Sequence, residues 1–444
     1  MSGNGENVRT CQIKNFLYTL LKWFCPVLAL AIPMVALSAS ASYGAECGNP
    51  QIVFAFQGNI FAASGTGKLS VSEIASGFRG PYEMTWAPDC GEFAFLDAGS
   101  LWIAAEHQTP FRLQIPGQVS SFVWSPNSKN IGVTAKRSEC VAQSQVSNPG
   151  DVFTVSLSDH VPRMWTQNCR SYLDGWSSDN QHLLLEEGVT YKLACDPSMA
   201  PCAGTDLMIA DIASGSIRTL LSAKEQTKRG YSIGSLVRWE AERHTIYMSN
   251  GLSPSYGDSS ILVAIGDTDG QQLWSQTVES SVWLGDQQFE AFKPIGSTEG
   301  FTFQPVLINE DGRQTRKYPI GAGALSPDKK YVAGAGKHDW ITDFIPAKGG
   351  KGSSYSLPAH TETCTNEWTP DNRWVINGYT TGPTDKDLEV SLWVIDPESR
   401  KAENFFHQTL LHAIAPNANP ATVACGMDYP PAPPIISVGK WYHR

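Results

Sequence analysis

Three stretches of the sequence share one pattern. Trp86-Ala-Pro-Asp89, Trp124-Ser-Pro-Asn127 and Trp368-Thr-Pro-Asp371 each place a Pro-Asx pair two residues after a tryptophan. Trp176-Ser-Ser-Asp179 and Ile414-Ala-Pro-Asn417 continue the series, and three weaker copies belong to it as well: Trp239-Glu-Ala-Glu242, Trp283-Leu-Gly-Asp286 and Leu325-Ser-Pro-Asp328. Successive copies begin 38 to 63 residues apart. A period of about 40–50 residues is typical of one four-stranded β-propeller blade, and the two longest intervals predict two enlarged blades.

Each copy is typical of the turn between two β-strands. Proline presets the backbone φ angle, and the following Asp or Asn bonds to the backbone two residues further on. An apolar strand follows the turn, as at Glu92-Phe-Ala-Phe95, and a third strand follows that one, as at Leu101-Trp-Ile-Ala104. Amphipathic helical periodicity is nearly absent. The sequence therefore predicts an all-β protein, a β-propeller of four-stranded blades.

The two ends of the repeat array predict how the ring closes. Residues 51–75 align with the three outer strands of a blade, so this blade lacks its innermost strand. We expect the strand ending at Ile414 to supply it, so that N- and C-terminal strands share a blade and no free edge remains. This arrangement gives eight blades. If the degenerate copy at Trp283 is false, the count is seven.

The repeats resemble those of the TolB-like propellers, which carry a Trp-Ser-Pro-Asp-Gly turn before an aliphatic strand. The resemblance covers about residues 47–430 and implies a propeller fold. The glycine after Asp is absent here, because Cys90, Ser128, Lys329 and Asn372 occupy that position. TolB itself also carries an additional N-terminal domain, for which we expect no room here. The resemblance is therefore to the superfamily rather than to TolB itself.

Composition and the N-terminal segment indicate an exported globular protein. Of 444 residues 41% are hydrophobic, which is enough for a large core, and the net charge of −10 argues against a general nucleic-acid binder. A basic lead-in, an apolar run over 23–37 and small residues over 38–42 form a signal-peptide pattern, with cleavage after Ala41 or Ala45. The alternative is an uncleaved anchor, but the apolar run is shorter than the ~20 residues that a spanning helix needs.

These features divide the chain into a signal peptide at 1–45, one propeller domain at 46–430 and a Pro-rich C-terminal tail at 431–444. They predict a periplasmic or secreted monomer without a membrane span after cleavage. Eight cysteines follow the signal, and an even number in an exported chain predicts disulfides. The set that keeps partners on one face of the ring is Cys47–Cys90, Cys140–Cys169, Cys195–Cys202 and Cys364–Cys425; other pairings remain open.

Loop lengths predict a working face. Long segments connect second to third strands, or one blade to the next: 137–151, 188–205, 224–233, 251–260, 336–353 and 380–389. The remaining turns are short and belong to the opposite face. Loops on a rigid scaffold often carry function, although tolerated insertion is the alternative. The ligand-binding candidates on the long-loop face are Tyr256, Lys337, His338, Asp339, Trp340 and Asp343.

A second group of candidates lies on the innermost strands. Asp174, Arg238, Glu367 and His412 come just before the Trp or Ile of a repeat, where side chains line the central channel. They form either a hydrated channel with paired charges or a ligand or ion site.

No catalytic, metal or cofactor residue is assigned. The motif at 230–234 has the form G-x-S-x-G but is followed by a strand, not by the helix of a nucleophile elbow. The favoured function is an exported, non-enzymatic binding or scaffold protein that engages a protein or a cell-envelope component through the long-loop face. The alternative is a propeller lyase or hydrolase acting on polysaccharide or peptide, with a site drawn from His338, Arg238, Glu367 and His412.

Overall fold

The computed structural model describes most of the chain after residue 51. The described ranges are 52–65, 68–105, 108–141, 150–191, 202–229, 234–249, 261–278, 280–284, 287–295, 302–318, 323–335, 341–358, 361–381, 387–410 and 436–438. All of them lie in one of the two units into which the chain divides, Ser38–Arg444. No helix among these residues is both long enough and apolar enough to cross a membrane.

In the described part of the chain, thirty-two strands form eight antiparallel four-stranded sheets, each of which is one blade of a β-propeller. Blades are numbered here in chain order, and strands are given from the innermost outward. Blade 1 consists of β32 (Ile436–Val438), β1 (Ile52–Phe56), β2 (Asn59–Ser64) and β3 (Ser70–Ala75). Blade 2 consists of β4 (Tyr82–Trp86), β5 (Phe93–Asp97), β6 (Ser100–Ala104) and β7 (Phe111–Arg112). Blade 3 consists of β8 (Gln118–Trp124), β9 (Asn130–Lys136), β10 (Asp151–Ser156) and β11 (Pro162–Met164). Blade 4 consists of β12 (Ser171–Trp176), β13 (His182–Tyr191), β14 (Cys202–Asp211) and β15 (Ile217–Leu221).

The second half of the chain repeats this arrangement. Blade 5 consists of β16 (Leu236–Glu240), β17 (Thr245–Ser249), β18 (Ile261–Gly266) and β19 (Gln272–Thr277). Blade 6 consists of β20 (Ser280–Trp283), β21 (Gln288–Ile295), β22 (Thr302–Asn309) and β23 (Gln314–Lys317). Blade 7 consists of β24 (Gly323–Leu325), β25 (Tyr331–Ala335), β26 (Ile341–Pro346) and β27 (Ser353–Ser356). Blade 8 consists of β28 (Glu362–Trp368), β29 (Trp374–Thr381), β30 (Leu388–Asp396) and β31 (Lys401–Leu410). The only helices described are short: Ser138–Val141, Ala223–Lys228 and the 3₁₀ turn Ala241–Arg243.

The repeated tryptophan ends the innermost strand and joins it to the preceding blade. The indole N–H of Trp124 donates to the Thr85 carbonyl at 3.1 Å, and that of Trp368 donates to the Ala324 carbonyl at 2.9 Å. In both cases the acceptor directly precedes the large residue that ends the neighbouring strand. Trp283 ends β20 in the same way, so the degenerate copy is genuine and the prediction of eight blades is confirmed.

The ring closes within one blade, as predicted, but with a different strand. β32 pairs with β1 through Phe54↔Val438 and Phe56↔Ile436, so the closing strand is Ile436–Val438 and not the one ending at Ile414. The propeller therefore extends beyond residue 430, into the segment that was expected to be a tail. Four prolines at 430–434 marked that segment as non-sheet. The Ile436-Ser437-Val438 run after them has two β-branched residues and backbone N–H groups that can donate to the ladder.

The turn after the tryptophan keeps a left-handed residue where the TolB-like pattern has glycine. Ser128, Lys329 and Asn372 have φ values of 59°, 58° and 65°. Ser128 Oγ accepts from the backbone N–H of Asp89 at 3.0 Å, and Asn372 Oδ1 accepts from that of Asp328 at 2.7 Å. These side chains link the turns of adjacent blades, which a glycine cannot do.

Because the strands alternate in direction, turns between strands one and two and between strands three and four share one face. We call this the turn face, and the opposite side the long-loop face. The predicted long segment 336–353 is wrong, because residues 341–346 form strand β26. Asp343 therefore lies in a strand, opposite Ser354 of β27, rather than in a loop. The alternation of Thr342 and Phe344, both buried, with half-buried neighbours explains why the segment forms a strand.

Candidate functional site

The sequence-predicted site residues are only partly covered by the described ranges. Tyr256, Lys337, His338, Asp339, Trp340 and His412 lie outside them. Asp343 accepts a hydrogen bond from the Ser354 hydroxyl at 2.5 Å, a cross-strand contact within blade 7. Glu367 lies on the innermost strand of blade 8 and Arg238 on that of blade 5, so three blade steps separate them around the ring.

Arg238 is a paired charge on the innermost strand of blade 5. Its Nε lies 2.5 Å from Glu240 Oε1, and its guanidinium carbon lies 5.6 Å from the centre of the Trp283 ring in blade 6. The ion pair and the cation–π contact both hold the side chain against neighbouring strands. This arrangement fits the paired-charge alternative for the channel.

Asp174 belongs to a different kind of group. It is the extra residue of a β-bulge between Leu173 and Gly175, and its carboxyl oxygen Oδ2 is buried without a hydrogen-bond partner. Burial raises the pKa of both carboxyl groups, that of Asp174 to about 7. Both carboxyl groups therefore hold their protons to higher pH than an ordinary Asp or Glu side chain does.

A groove with a cavity of about 430 Å³ opens between blades 4 and 5. Its lining combines two histidines, two aspartates, hydroxyl groups and an arginine over a tryptophan floor: His182, Ile209, Asp211, Ser214, Ser216, Arg218, Trp239, His244, Asp267 and Thr268. All of these residues lie in, or beside, the short turns of the two blades. The groove therefore belongs to the turn face, opposite the long loops on which the sequence placed the working surface. We call it the blade 4–5 groove.

Each histidine of the groove faces a carboxylate. His182 Nε2 lies 3.5 Å from Asp211 Oδ2, and His244 Nδ1 lies 3.4 Å from Asp267 Oδ1. The His182 ring also packs against Trp239 at a tilt of 32°, with ring centres 5.5 Å apart. A carboxylate beside an imidazole fixes the orientation of the ring. The His182 side chain is 33% exposed and that of His244 is 76% exposed, so both rings lie at the mouth of the groove.

The two carboxylates are themselves held by donors from the fold. Asp211 accepts from the backbone N–H and hydroxyl of Ser214 at 2.6 and 2.7 Å, and these hydrogen bonds, with the Ser214 hydroxyl foremost, lower its pKa. Asp267 Oδ2 accepts from the Trp239 indole N–H at 3.1 Å. The guanidinium of Arg218 donates to the carbonyls of Asp267 and Thr268 rather than to either carboxylate. The groove is therefore acidic.

A second cavity, of about 420 Å³, opens on the same face between blades 5 and 6. Its main polar contact is an ion pair between Arg243 and Glu310, whose side chain is only 6% exposed. Trp274 donates its indole N–H to the Glu310 carbonyl, and Leu273 leaves an apolar surface 55% exposed at the rim. The 3₁₀ turn of blade 5 separates this cavity from the blade 4–5 groove.

The described cysteines with placed side chains are all oxidised. Cys140 and Cys169 form a disulfide in blade 3, as the sequence predicted, and Cys90 is disulfide-bonded as well. The pairings of Cys47, Cys195, Cys202, Cys364 and Cys425 rest on side chains outside the described part of the structure. Asp151, fully buried beside Cys140 and Cys169, accepts from Arg137 Nε at 2.8 Å. Because both sulfurs are in the disulfide, this cluster serves as a structural one.

No protein-family model matches the chain, and no curated protein matches it either. Among solved structures, the dihydro-heme d1 dehydrogenase NirN in complex with DHE is similar over 86% of this chain and 77% of its own, with 12% identity and a TM-score of 0.51. Dipeptidyl peptidase 4 of Porphyromonas gingivalis is similar over 85% of this chain and 61% of its own, with 10% identity and a TM-score of 0.50. A protein of Agrobacterium tumefaciens assigned to TolB matches over 63% of this chain and 95% of its own, with 12% identity and a TM-score of 0.36.

At such low identity these similarities show the fold alone. The chain is an eight-bladed β-propeller, and the fold implied by its resemblance to the TolB-like propellers is confirmed. Propellers hold many unrelated functions, and a function has to be argued from the site.

Proposed function

We propose that the protein is an exported, non-enzymatic binding protein and that it holds a basic ligand in the blade 4–5 groove. The observation that carries the proposal is the groove itself, in which two oriented imidazoles and two carboxylates converge on one cavity of about 430 Å³. Ligand sites are typically concave, of a few hundred cubic ångströms, with a few convergent polar groups and an aromatic wall.

The charge of the groove supports a basic ligand. Asp211 and Asp267 supply two negative charges. Arg218, whose guanidinium donates to backbone carbonyls, supplies one positive charge, so with neutral histidines the lining carries a net charge of −1. A concave surface of one sign attracts ligands of the opposite sign and speeds their association. The net charge of −10 for the whole chain acts in the same direction.

The disulfide Cys140–Cys169 supports export, because such bonds persist in oxidising compartments. Cleavage of residues 1–45 and placement in the periplasm or outside the cell complete this part of the proposal. The ligand is a protein segment or an envelope component that displays amino or guanidinium groups.

An enzymatic alternative has one observation in its favour, the two His–Asp pairs. An imidazole oriented by a carboxylate is a common general base. Within the described residues, however, the nearby Ser214 hydroxyl donates to Asp211 and not to His182, so it lacks the contact that activates a serine nucleophile. The alternative, a lyase or hydrolase, predicts turnover of polysaccharide or peptide that His182→Ala abolishes.

The test compares the two faces of the ring with one probe. Mature protein is titrated with lysine-rich and glutamate-rich decapeptides by fluorescence anisotropy, at two salt concentrations. We expect salt-sensitive binding of the basic peptide alone, weakened at least tenfold by Asp211→Asn and by Asp267→Asn. The matched control is Asp269→Asn, which removes the same charge from the neighbouring turn position, outside the groove lining.

Two long-loop variants, Trp340→Ala and Tyr256→Ala, complete the comparison. If they weaken binding and the groove variants leave it unchanged, the site lies on the long-loop face, as the sequence indicated. If neither set changes binding, or the acidic peptide binds equally well, the proposal is wrong. Circular dichroism of each variant checks that the propeller is intact.

A further inference from the structure

The cavity of about 420 Å³ between blades 5 and 6, which we call the blade 5–6 cavity, has an apolar wall. Leu273 and Trp274 of the outermost strand β19 form this wall, and Leu273 is 55% exposed. Adjacent residues of a regular strand point to opposite faces, so they do not normally line one cavity together. An irregularity in β19 brings the two side chains to the same place.

That irregularity is a β-bulge. Strand β18 pairs with β19 through Ala264↔Trp274 and Ile265↔Gln272, which leaves Leu273 as the extra residue. A bulge bends the strand and redirects the side chain of its extra residue. Leu273 is therefore displaced from the regular alternation and lines the cavity beside Trp274.

Bulges in three other outermost strands cover their apolar extra residue. Register shifts leave Ile74 in β3, Leu220 in β15 and Phe405 in β31 as the extra residues. Leu220 is only 7% exposed and lies in the apolar cluster of Trp239, while Ile74 and Phe405 pack against the cluster shared by blades 1, 2 and 8. Leu273 is more than half exposed instead, so its apolar surface is accessible to a ligand.

Trp274 is held in place by the turn of blade 6. Its indole N–H donates to the Glu310 carbonyl at 2.6 Å. A Cβ added to Gly312 would lie 2.6 Å from Trp274 Cδ2, so a side chain at this position would displace the indole. The Tyr247 ring packs against it from blade 5, with ring centres 5.9 Å apart. The wall is therefore formed before a ligand arrives, which lowers the entropic cost of binding.

The polar side of the cavity is compatible with a basic ligand. Arg243 and Glu310 form an ion pair, and Asp311 is an exposed residue of the lining. One positive and two negative charges give a net charge of −1, which equals that of the blade 4–5 groove with neutral histidines. A basic segment held by the groove is therefore not repelled by the neighbouring cavity.

The two cavities are close enough for one short segment. Consecutive residues of blade 5 line them: Arg243 lines the blade 5–6 cavity, and His244 lines the blade 4–5 groove. Consecutive Cα atoms are about 3.8 Å apart, and an extended peptide advances by about 3.3 Å per residue. A few residues of an extended ligand therefore pass from one cavity to the other.

We propose that the blade 5–6 cavity binds a large apolar side chain of the same segment whose basic residue occupies the blade 4–5 groove. The ligand is then a peptide segment in which a lysine or arginine stands a few residues from a phenylalanine or leucine. The coupling of the two side chains rests on the proposed function, whereas the binding of an apolar side chain in the cavity does not.

Two labelled decapeptides test the cavity. One is lysine-rich with a central phenylalanine, and the other has alanine in its place. In anisotropy titrations of the mature protein, we expect the phenylalanine peptide to bind about tenfold more tightly. Added salt should weaken the binding of both peptides and leave their affinity ratio unchanged, because apolar burial is not screened by salt.

Leu273→Ala should reduce the affinity ratio to about twofold and leave the affinity for the alanine peptide unchanged, because it removes only the exposed part of the wall. Trp274→Ala is the second variant, and circular dichroism checks that both are folded. The matched control is Val161→Ala. Val161 is 62% exposed in blade 3 and lines neither cavity, so this variant should keep the wild-type ratio.

The outcomes separate this inference from the proposed function. Equal binding of the two peptides by the wild type, or an unchanged ratio in both wall variants, overturns the inference; the proposed function stands if Asp211→Asn still weakens binding. A ratio that falls in Leu273→Ala, with no effect of Asp211→Asn or Asp267→Asn, supports the apolar cavity and overturns the proposed function. Binding of neither peptide overturns both.

Discussion

Glu290 offers a sharp test of how the blades are joined. It lies on β21 of blade 6, is only 3% exposed, and accepts from the backbone N–H of Leu325 in blade 7 at 3.0 and 3.2 Å through its two oxygens. Burial raises its pKa from 4.5 to about 8, and the Leu325 hydrogen bond opposes this only in part. The carboxyl group is therefore neutral in the folded protein at pH 7 and ionised in the unfolded chain.

The magnitude follows from the difference between the two pKa values. Between pH 4.5 and 8 the folded state binds one more proton than the unfolded state, so stability falls as the pH rises. Each unit of pKa difference corresponds to about 1.4 kcal/mol, so Glu290 destabilises the protein by at most about 5 kcal/mol above pH 8 relative to pH 4.5. Glu290→Gln removes the titration and keeps the acceptor for Leu325.

The assay is urea unfolding of the wild type and Glu290→Gln at pH 5 and pH 8.5. At pH 5 we expect Glu290→Gln to have a free energy of unfolding about 1 kcal/mol below that of the wild type, because the amide N–H₂ group replaces the carboxyl O–H as the hydrogen-bond donor. At pH 8.5 we expect it to be more stable than the wild type by several kcal/mol. Glu242→Gln, an exposed carboxylate of blade 5, is the control and should follow the wild type. If the wild type and Glu290→Gln lose stability in parallel between the two pH values, Glu290 is not neutral in the folded protein.

Three further changes test other parts of the structure. Asn372→Ala should lower the free energy of unfolding by about 1–2 kcal/mol, and Asn372→Gly should lower it by less. Both variants lose the hydrogen bond from the Asp328 backbone N–H, but only glycine adopts the left-handed backbone conformation without strain. Urea unfolding that finds the glycine variant less stable than the alanine variant contradicts this. Replacing Cys140 and Cys169 together by serine should cost about 2–4 kcal/mol, and an unchanged unfolding midpoint would show that the disulfide is dispensable. Mature protein unfolded without reductant should titrate no free thiols, and two or more thiols would rule out four bridges.

The propeller could be predicted from sequence because its signal is local and repeated. A tryptophan at the end of a strand and a Pro-Asx turn recur in register, and the indole of Trp124 forms the inter-blade hydrogen bond that the repeat requires. The closing strand could not be predicted in the same way. It is three residues long, follows a run of prolines, and is defined only by its pairing with β1 at the other end of the chain.

The left-handed turn position was visible in the sequence, but the hydrogen bonds that its side chains form were not. The missing glycine was a departure from the TolB-like pattern, yet Ser128 and Asn372 keep the backbone conformation and add an inter-blade hydrogen bond. Asn tolerates positive φ better than most residues, which makes such a replacement possible. The backbone requirement is thus retained while the residue type changes.

The blade 4–5 groove was missed because its aspartates look like ordinary turn residues. Asp396 of blade 8 accepts from the backbone N–H groups of Glu398 and Ser399, much as Asp211 accepts from Ser214, so an aspartate after the third strand usually serves the turn. Among the described residues, a histidine stands opposite such an aspartate in blades 4 and 5 alone, at His182 and His244. The turn supplies and orients the carboxylate, and the histidine from the adjacent turn converts it into part of a binding surface. A repeat that places its turns on one face can therefore build a site there without long loops, by changing one residue type in two neighbouring blades.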